Sequence, residues 1–318
     1  MASDLPSSVP GVADVEVVRG PEAGTRAPAL LVEVPHGAER ADYDALRAAL
    51  AGRLPADLHE FFSVNTDVGA WPLGRRVAEA IVAADPRRSA IAIRCRIPRT
   101  FIDCNRIEGA TEGDLRAGGM TASVPAYVKD DGDRARLLSL HRRYVALVEE
   151  AHAALDPGGF LLLPHTYGPR TLGIDAVGDD IVAELRRAHE PERVETWPLR
   201  PEVDLITRSQ DGAITAALDV AEEVAAGFGA LGVAVAENAT YHLHPSTLAH
   251  RWAARFPGRV FCLEVRRDLL VRSWTWNGEN QVVAGAIERF AAPIAASIDR
   301  WLRRSYPSDP TGRSGAPG

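Results

Sequence analysis

Lysine is almost absent from this chain. Lys129 is the one lysine among 36 basic residues, and every other one is arginine. It stands in the polar stretch Val128-Lys129-Asp130-Asp131-Gly132-Asp133. That setting excludes a P-loop, whose lysine follows a glycine-rich turn, and a Schiff-base lysine, which needs a desolvated pocket. Cysteine is scarce as well. Cys95, Cys104 and Cys262 are too few and too scattered for a disulfide framework or an all-cysteine zinc site, and their apolar neighbours mark them as small core residues. No apolar run approaches the roughly 20 residues of a membrane span. The start, Met1-Ala2-Ser3-Asp4-Leu5-Pro6, lacks both the basic and the apolar part of a secretory signal. A formal charge of -7 argues against nucleic acid as the main partner and against a polybasic membrane anchor. The expectation is a cytoplasmic, reduced protein with no nucleic-acid or membrane partner; its oligomeric state is not legible.

What is present is ordinary globular composition, 46% hydrophobic and 25% charged over 318 residues, enough for one α/β domain. Residues 1–14, polar with prolines, read as a flexible start, 15–304 as one folded domain, and 305–318 as a disordered tail. Between the ends, apolar runs at 29–34, 90–93, 160–163, 232–236 and 260–265 read as strands. Helical spacing covers 68–84, 134–154, 211–228, 247–255 and 282–302. This alternation predicts a three-layer α/β fold with a mostly parallel or mixed central sheet and helices on both faces. Proline is expected to stop the strands at Pro35 and Pro164.

In open α/β sheets the ligand lies beyond the carboxyl ends of the strands. Two strands run there into Pro35-His36-Gly37-Ala38-Glu39 and Pro164-His165-Thr166, and a third carries Glu264. Two Pro-His pairs directly after buried strands are hard to explain by packing. Imidazole and carboxylate suit a divalent metal, zinc above all, and a catalytic zinc keeps three protein ligands and an open position. His36 and His165 supply two. Glu39, three residues from His36, or Asp67, before a helix in Asn65-Thr66-Asp67-Val68-Gly69, supplies the third; Asp67 also suits an N-cap. Glu264 is then the general base for the attacking water.

Arginine supplies the complementary charge. Arg99 and Arg106 flank Thr100-Phe101-Ile102-Asp103-Cys104-Asn105, and a guanidinium fork recognises a carboxylate in two-pronged fashion, with an asparagine adding a directed donor. Arg99, Asn105 and Arg106 are therefore candidates for an anionic substrate, with Arg170 in the loop after His165 and Arg266 on the strand face of Glu264. Asp103 is expected to orient Arg106 or the loop. Arg267 and Asp268 read as surface charges. The segment Asn238-Ala239-Thr240-Tyr241-His242-Leu243-His244 reads as a loop lining the cleft.

The ordered set of these motifs resembles the N-formylglutamate amidohydrolase family. The matching pieces are Val34-Pro35-His36-Gly37, Asp67-Val68-Gly69-Ala70, Arg99 with Asp103-Cys104-Asn105-Arg106, His165, Asn238 with Tyr241, and Glu264-Val265-Arg266-Arg267-Asp268-Leu269-Leu270. The resemblance spans roughly residues 28–300. It implies a zinc-exopeptidase-like α/β fold and metal-dependent hydrolysis of an N-formyl or other N-acyl amino acid. It also implies that the position of Glu39 is variable, which favours Asp67 as third ligand. Where many members carry Asp-Ala-His-Ser, this chain has Leu163-Pro164-His165-Thr166. The order of the ligands, the Asn-Arg pair and the late glutamate is also similar to the zinc carboxypeptidases. A peptidase or deacylase acting on another carboxylate-bearing amide, and a non-catalytic carboxylate-binding relative, are the alternatives.

Overall fold

Among the described residues, seven strands and the helices between them build one three-layer unit. The computed structural model describes residues 5–109, 122–174 and 176–305. The strands are β1 (Ala13–Arg19), β2 (Leu30–Val34), β3 (Ser89–Cys95), β4 (Phe160–Tyr167), β5 (Val203–Ile206), β6 (Val235–Glu237) and β7 (Val260–Arg266). The helices are α1 (Arg40–Ala49), α2 (Leu58–Asn65), α3 (Ala70–Ala84), α4 (Asp131–Ala154), α5 (Ile181–Ala188), α6 (Pro191–Val194), α7 (Leu218–Ala230), α8 (Leu248–Arg255) and α9 (Ala284–Ser305).

The sheet order is β1-β3-β2-β4-β7-β5-β6. The four central strands are parallel, whereas β1 runs antiparallel to β3 and β5 antiparallel to β7, so the sheet is mixed. Alternate residues of each strand enter opposite cores. Leu31, Ile93, Leu161, Leu163 and Cys262 pack under α2, α4 and α8. Leu30, Val32, Ala92, Leu162 and Leu263 pack under α3, α7 and α9. Cover on both faces is why the central strands read as unbroken apolar runs. All three cysteines are free and buried in this packing.

Three expectations change. Pro164 does not end its strand, and β4 continues to Tyr167. Phe160 N–H donates to Ala29 and Leu161 N–H to Arg259, so even-numbered residues of β4 face β2. Pairing with β2 stops at Leu162, so Pro164 lacks its N–H where no ladder acceptor waits. That overhang carries His165 beyond the neighbouring strand. The helix expected over 211–228 begins only at Leu218. Asp211 accepts from Ser209 and from the Ala213 N–H, and Gly212 adopts φ +83°, a turn that interrupts the periodicity. At the start of the chain, Val12 and Ala13 are fully buried and β1 begins at Ala13, inside the stretch read as flexible. The expected tail lies outside the described residues apart from Ser305, the last residue of α9. Among the described residues, no helix is long and apolar enough to cross a membrane.

Two glycines bring α3 to the site. Gly69 caps the helix with φ +92°, a left-handed conformation that glycine adopts without steric cost. A Cβ on Gly74 would stand 2.6 Å from the Val32 side chain. Its absence lets the helix rest directly on β2.

Candidate active site

The site lies where the parallel strands end. His36 follows β2 and is buried. Its carbonyl accepts from the Asp67 N–H at 3.0 Å and the Thr66 hydroxyl at 3.3 Å, which clips the α2–α3 junction onto the end of β2. Gly69, not Asp67, caps α3, so the Asp67 carboxylate is free of the capping role. It turns inward and meets both imidazoles. Its Oδ2 lies 2.9 Å from His165 Nδ1 and 3.4 Å from His36 Nδ1. The two rings are 5.3 Å apart between centroids. Ligand atoms of His36, Asp67 and His165 all fall within 4.8 Å of one another, and all three residues are buried. Two imidazoles and a carboxylate at this spacing suit a divalent ion such as zinc.

The surroundings orient this group. His36 Nε2–H donates to Asp103 Oδ1 at 2.8 Å. The carboxylate can only accept, so it selects the tautomer that leaves Nδ1 with its lone pair. Asp103 in turn holds Arg99 Nε at 3.0 Å and Arg106 Nη2 at 3.3 Å. Burial alone would raise the Asp103 carboxyl, but Arg106, Arg99 and His36 together hold it well below the usual range. Burial likewise pushes on Asp67, and the two imidazoles more than reverse it.

Register brings Glu264 to the same level. His165 pairs with Glu264, and Glu264 with Asp204, so the three lie in one row across β4, β7 and β5. Glu264 Oε2 is buried without a hydrogen-bond partner among the described residues. Burial pushes its carboxyl up to about 7, with His165 opposing and Asp67 reinforcing the shift.

The remaining candidates divide. Glu39 is not in the His–Asp–His group: it caps α1 and its mostly exposed carboxylate pairs with Arg94. Asn105 uses Oδ1 to accept from the Ala249 N–H at 3.2 Å, near the start of α8, and Arg106 is buried on Asp103. Arg170 ties its loop to Glu195 and the Trp197 carbonyl. Arg266 binds Asp268 at 2.9 Å and the Arg200 carbonyl at 3.0 Å. Arg267, read as a surface charge, is buried and reaches Asp67 Oδ1 at 3.1 Å and the Thr166 carbonyl at 2.8 Å. A 3-10 turn begins directly after β7 and breaks the strand alternation that would have turned Arg267 away. The sequence pattern does not single out Glu33, which lies inside the apolar run 29–34, nor Arg200 and Asp204, which lie at a strand, β5, that the pattern does not mark.

Glu33 lies one row below the site, buried, with Tyr144 donating to it at 2.9 Å. Burial raises its carboxyl from 4.5 to about 7. The folded protein therefore takes up a proton that the unfolded chain releases. The associated stability is fully present below about pH 4.5 and is lost as pH rises through about 7. Glu33→Gln is expected to flatten this slope and to stabilise the protein at pH 8 by up to about 3 kcal/mol. Glu264 contributes a slope of the same sign, so about half should persist. Urea midpoints measured from pH 4 to 8 check this, and an unchanged slope would show that Glu33 ionises freely in the fold.

The class defined by this geometry is a single-domain, three-layer α/β protein with a buried His–Asp–His group at the carboxyl edge of its sheet. Among solved structures, the chain is similar to the N-formylglutamate amidohydrolase from Ralstonia eutropha JMP134, with a TM-score of 0.53 and 19% sequence identity over 91% of this chain and 98% of that one. It also aligns with a gene product from Agrobacterium tumefaciens, at a TM-score of 0.48 and 17% identity over 93% of this chain and 95% of that one. No family model matches the chain, and no curated protein matches it. The first likeness supports the fold, which is the one the sequence motifs implied.

Proposed function

We propose that this protein is a metal-dependent amidohydrolase that cleaves the amide bond of an N-formyl or other N-acyl amino acid. The observation that carries the reading is the row formed by the buried His36–Asp67–His165 group and the Glu264 carboxylate, the register partner of His165. The donor set fits zinc in kind and spacing, with His36, Asp67 and His165 as its ligands. When bound, zinc would acidify water and polarise the acyl carbonyl.

The chain's own groups do the rest. Glu264, with one oxygen unpaired, takes the proton of the attacking water and delivers it to the departing amine. Asp103 holds the His36 ring in its ligating tautomer. Arg267 engages the second oxygen of Asp67 and keeps that carboxylate pointed at the imidazoles. Arg99 uses Nε on Asp103 and has its other donors to offer a substrate carboxylate. The likeness to an N-formylglutamate amidohydrolase agrees with this chemistry.

The test combines metal analysis with a substrate panel. The purified protein, titrated with zinc, is expected to bind one equivalent and to release free amino acid from members of a panel of N-formyl, N-acetyl and longer N-acyl amino acids. A zinc-loaded protein that releases amine from none of them would refute the reading.

A further inference from the structure

Arg200 is held more firmly than an idle surface arginine needs to be. Its backbone is tied on both sides: the Arg200 N–H donates to Pro169 and its carbonyl accepts from Arg266 Nη1 at 3.0 Å. Next to it, the Tyr167 hydroxyl donates to Pro201 O at 2.7 Å. The guanidinium lies over two rings, 5.0 Å from the centroid of Tyr167 and 5.6 Å from that of Tyr241. It donates from Nε to Thr171 Oγ1 at 3.1 Å and from Nη2 to the Tyr241 hydroxyl at 3.3 Å. Contacts of this kind fix the plane of the fork without neutralising its charge. Among the described residues, no carboxylate pairs with it, and it stays partly exposed.

Tyr241 is itself placed deliberately. Asn238 turns the chain with φ +51°. The buried Asp204, opposite Glu264, then accepts from the Ala239 N–H at 3.0 Å and the Thr240 N–H at 2.6 Å. This grip brings the segment back across the sheet so that Tyr241 meets Arg200. Arg200 lies just before β5, which runs antiparallel to β7, so it sits beyond the Glu264 row on the open side of the site. Its charge is felt at both Glu264 and Arg267.

The other arginines are differently engaged. Arg106 is buried on Asp103, and Arg267 is buried on Asp67. Arg170 and Arg266 are spent on Glu195 and Asp268.

We propose that Arg200, held flat by Tyr167 and Tyr241, is the residue that grips the substrate carboxylate, assisted by Arg99, while Asn105 and Arg106 build the wall behind them. Asp204 and Tyr241 are then positioning residues for Arg200. This inference rests on the amidohydrolase reading for its substrate class, and its test separates the two. Zinc-loaded wild type, Arg200→Gln, Arg106→Gln and Tyr241→Phe are compared on an N-acyl amino acid and on its carboxamide, both by amine release and by calorimetric binding.

In Arg200→Gln, KM for the carboxylate compound should rise about ten- to a hundredfold, the value of a charge-assisted hydrogen bond. The carboxylate-over-carboxamide preference should collapse, with a smaller change in kcat. Tyr241→Phe, which keeps the ring and the fold, should lose part of the preference, about threefold. A preference that survives in Arg200→Gln, or vanishes only in Arg106→Gln, overturns the assignment while leaving amide hydrolysis standing. If no amine is released but binding shows the preference and its loss in Arg200→Gln, the grip stands and the hydrolytic reading falls. Equal binding of both compounds to wild type, or binding of neither, overturns the inference.

Discussion

Glu264→Gln is expected to be nearly inactive while keeping its metal and its affinity for substrate. Glutamine preserves the shape of the side chain but cannot take a proton from water, and loss of a general base typically costs about 10²–10⁴ in rate. The site gives this substitution room: Glu264 Oε2 has no hydrogen-bond partner among the described residues, so the exchanged amide breaks no contact. Zinc content by mass spectrometry and substrate binding by calorimetry should therefore match wild type, while kcat collapses. Turnover near wild type would remove Glu264 from the chemistry. Zinc lost together with turnover would move it into the coordination shell, and Asp67 would then have to be examined as the base.

His36→Ala and His165→Ala should each strip zinc, with affinity falling at least about a hundredfold, the upper end of what removing a group outside the coordination shell does. Both imidazoles present Nδ1 to the same oxygen of Asp67, and neither one alone with a carboxylate makes a three-ligand site. The losses should be of similar size. The sheet should survive, because His36 lies past the end of β2, His165 lies in the part of β4 that overhangs β2, and the two apolar cores are formed by other side chains. Far-ultraviolet circular dichroism should be unchanged in both variants. One variant retaining a full equivalent of tightly bound zinc would break the shared site. Glu39→Ala serves as the contrast: its carboxylate pairs with Arg94 outside the group, so zinc affinity should not change.

That His36 and His165 lie toward the carboxyl ends of buried strands was visible in the sequence because both physical signals are local, although β4 runs on through Pro164. An apolar run of four to six residues must be buried on both faces, and a proline after it marks the place where pairing on one side stops. The same locality explains Glu264: a carboxylate in an apolar strand needs a reason. Arg267 was misread for the opposite cause. Its inward turn depends on a 3-10 turn after β7, and period-two reasoning carried past a strand's end assigns the wrong face. Glu39 and Asp67 could not be separated by spacing, because a turn and a helix junction each allow several directions for a side chain. The clip from the His36 carbonyl to Asp67 and Thr66 joins segments some thirty residues apart, and no local pattern records it.

The sequence by itself determined the class of the fold, the four central parallel strands, the two histidines and the buried glutamate, because burial and chain stiffness act over a few residues at a time. Tertiary structure decided which acid joins the histidines, that β4 runs on through Pro164, and that Arg200 lies over Tyr167 and Tyr241 with no carboxylate paired to it among the described residues. Those outcomes follow from strand order and register. The row His165–Glu264–Asp204 exists only because β7 lies between β4 and an antiparallel β5, and neighbours in a sheet are chosen by packing over the whole chain rather than by the residues of any one strand.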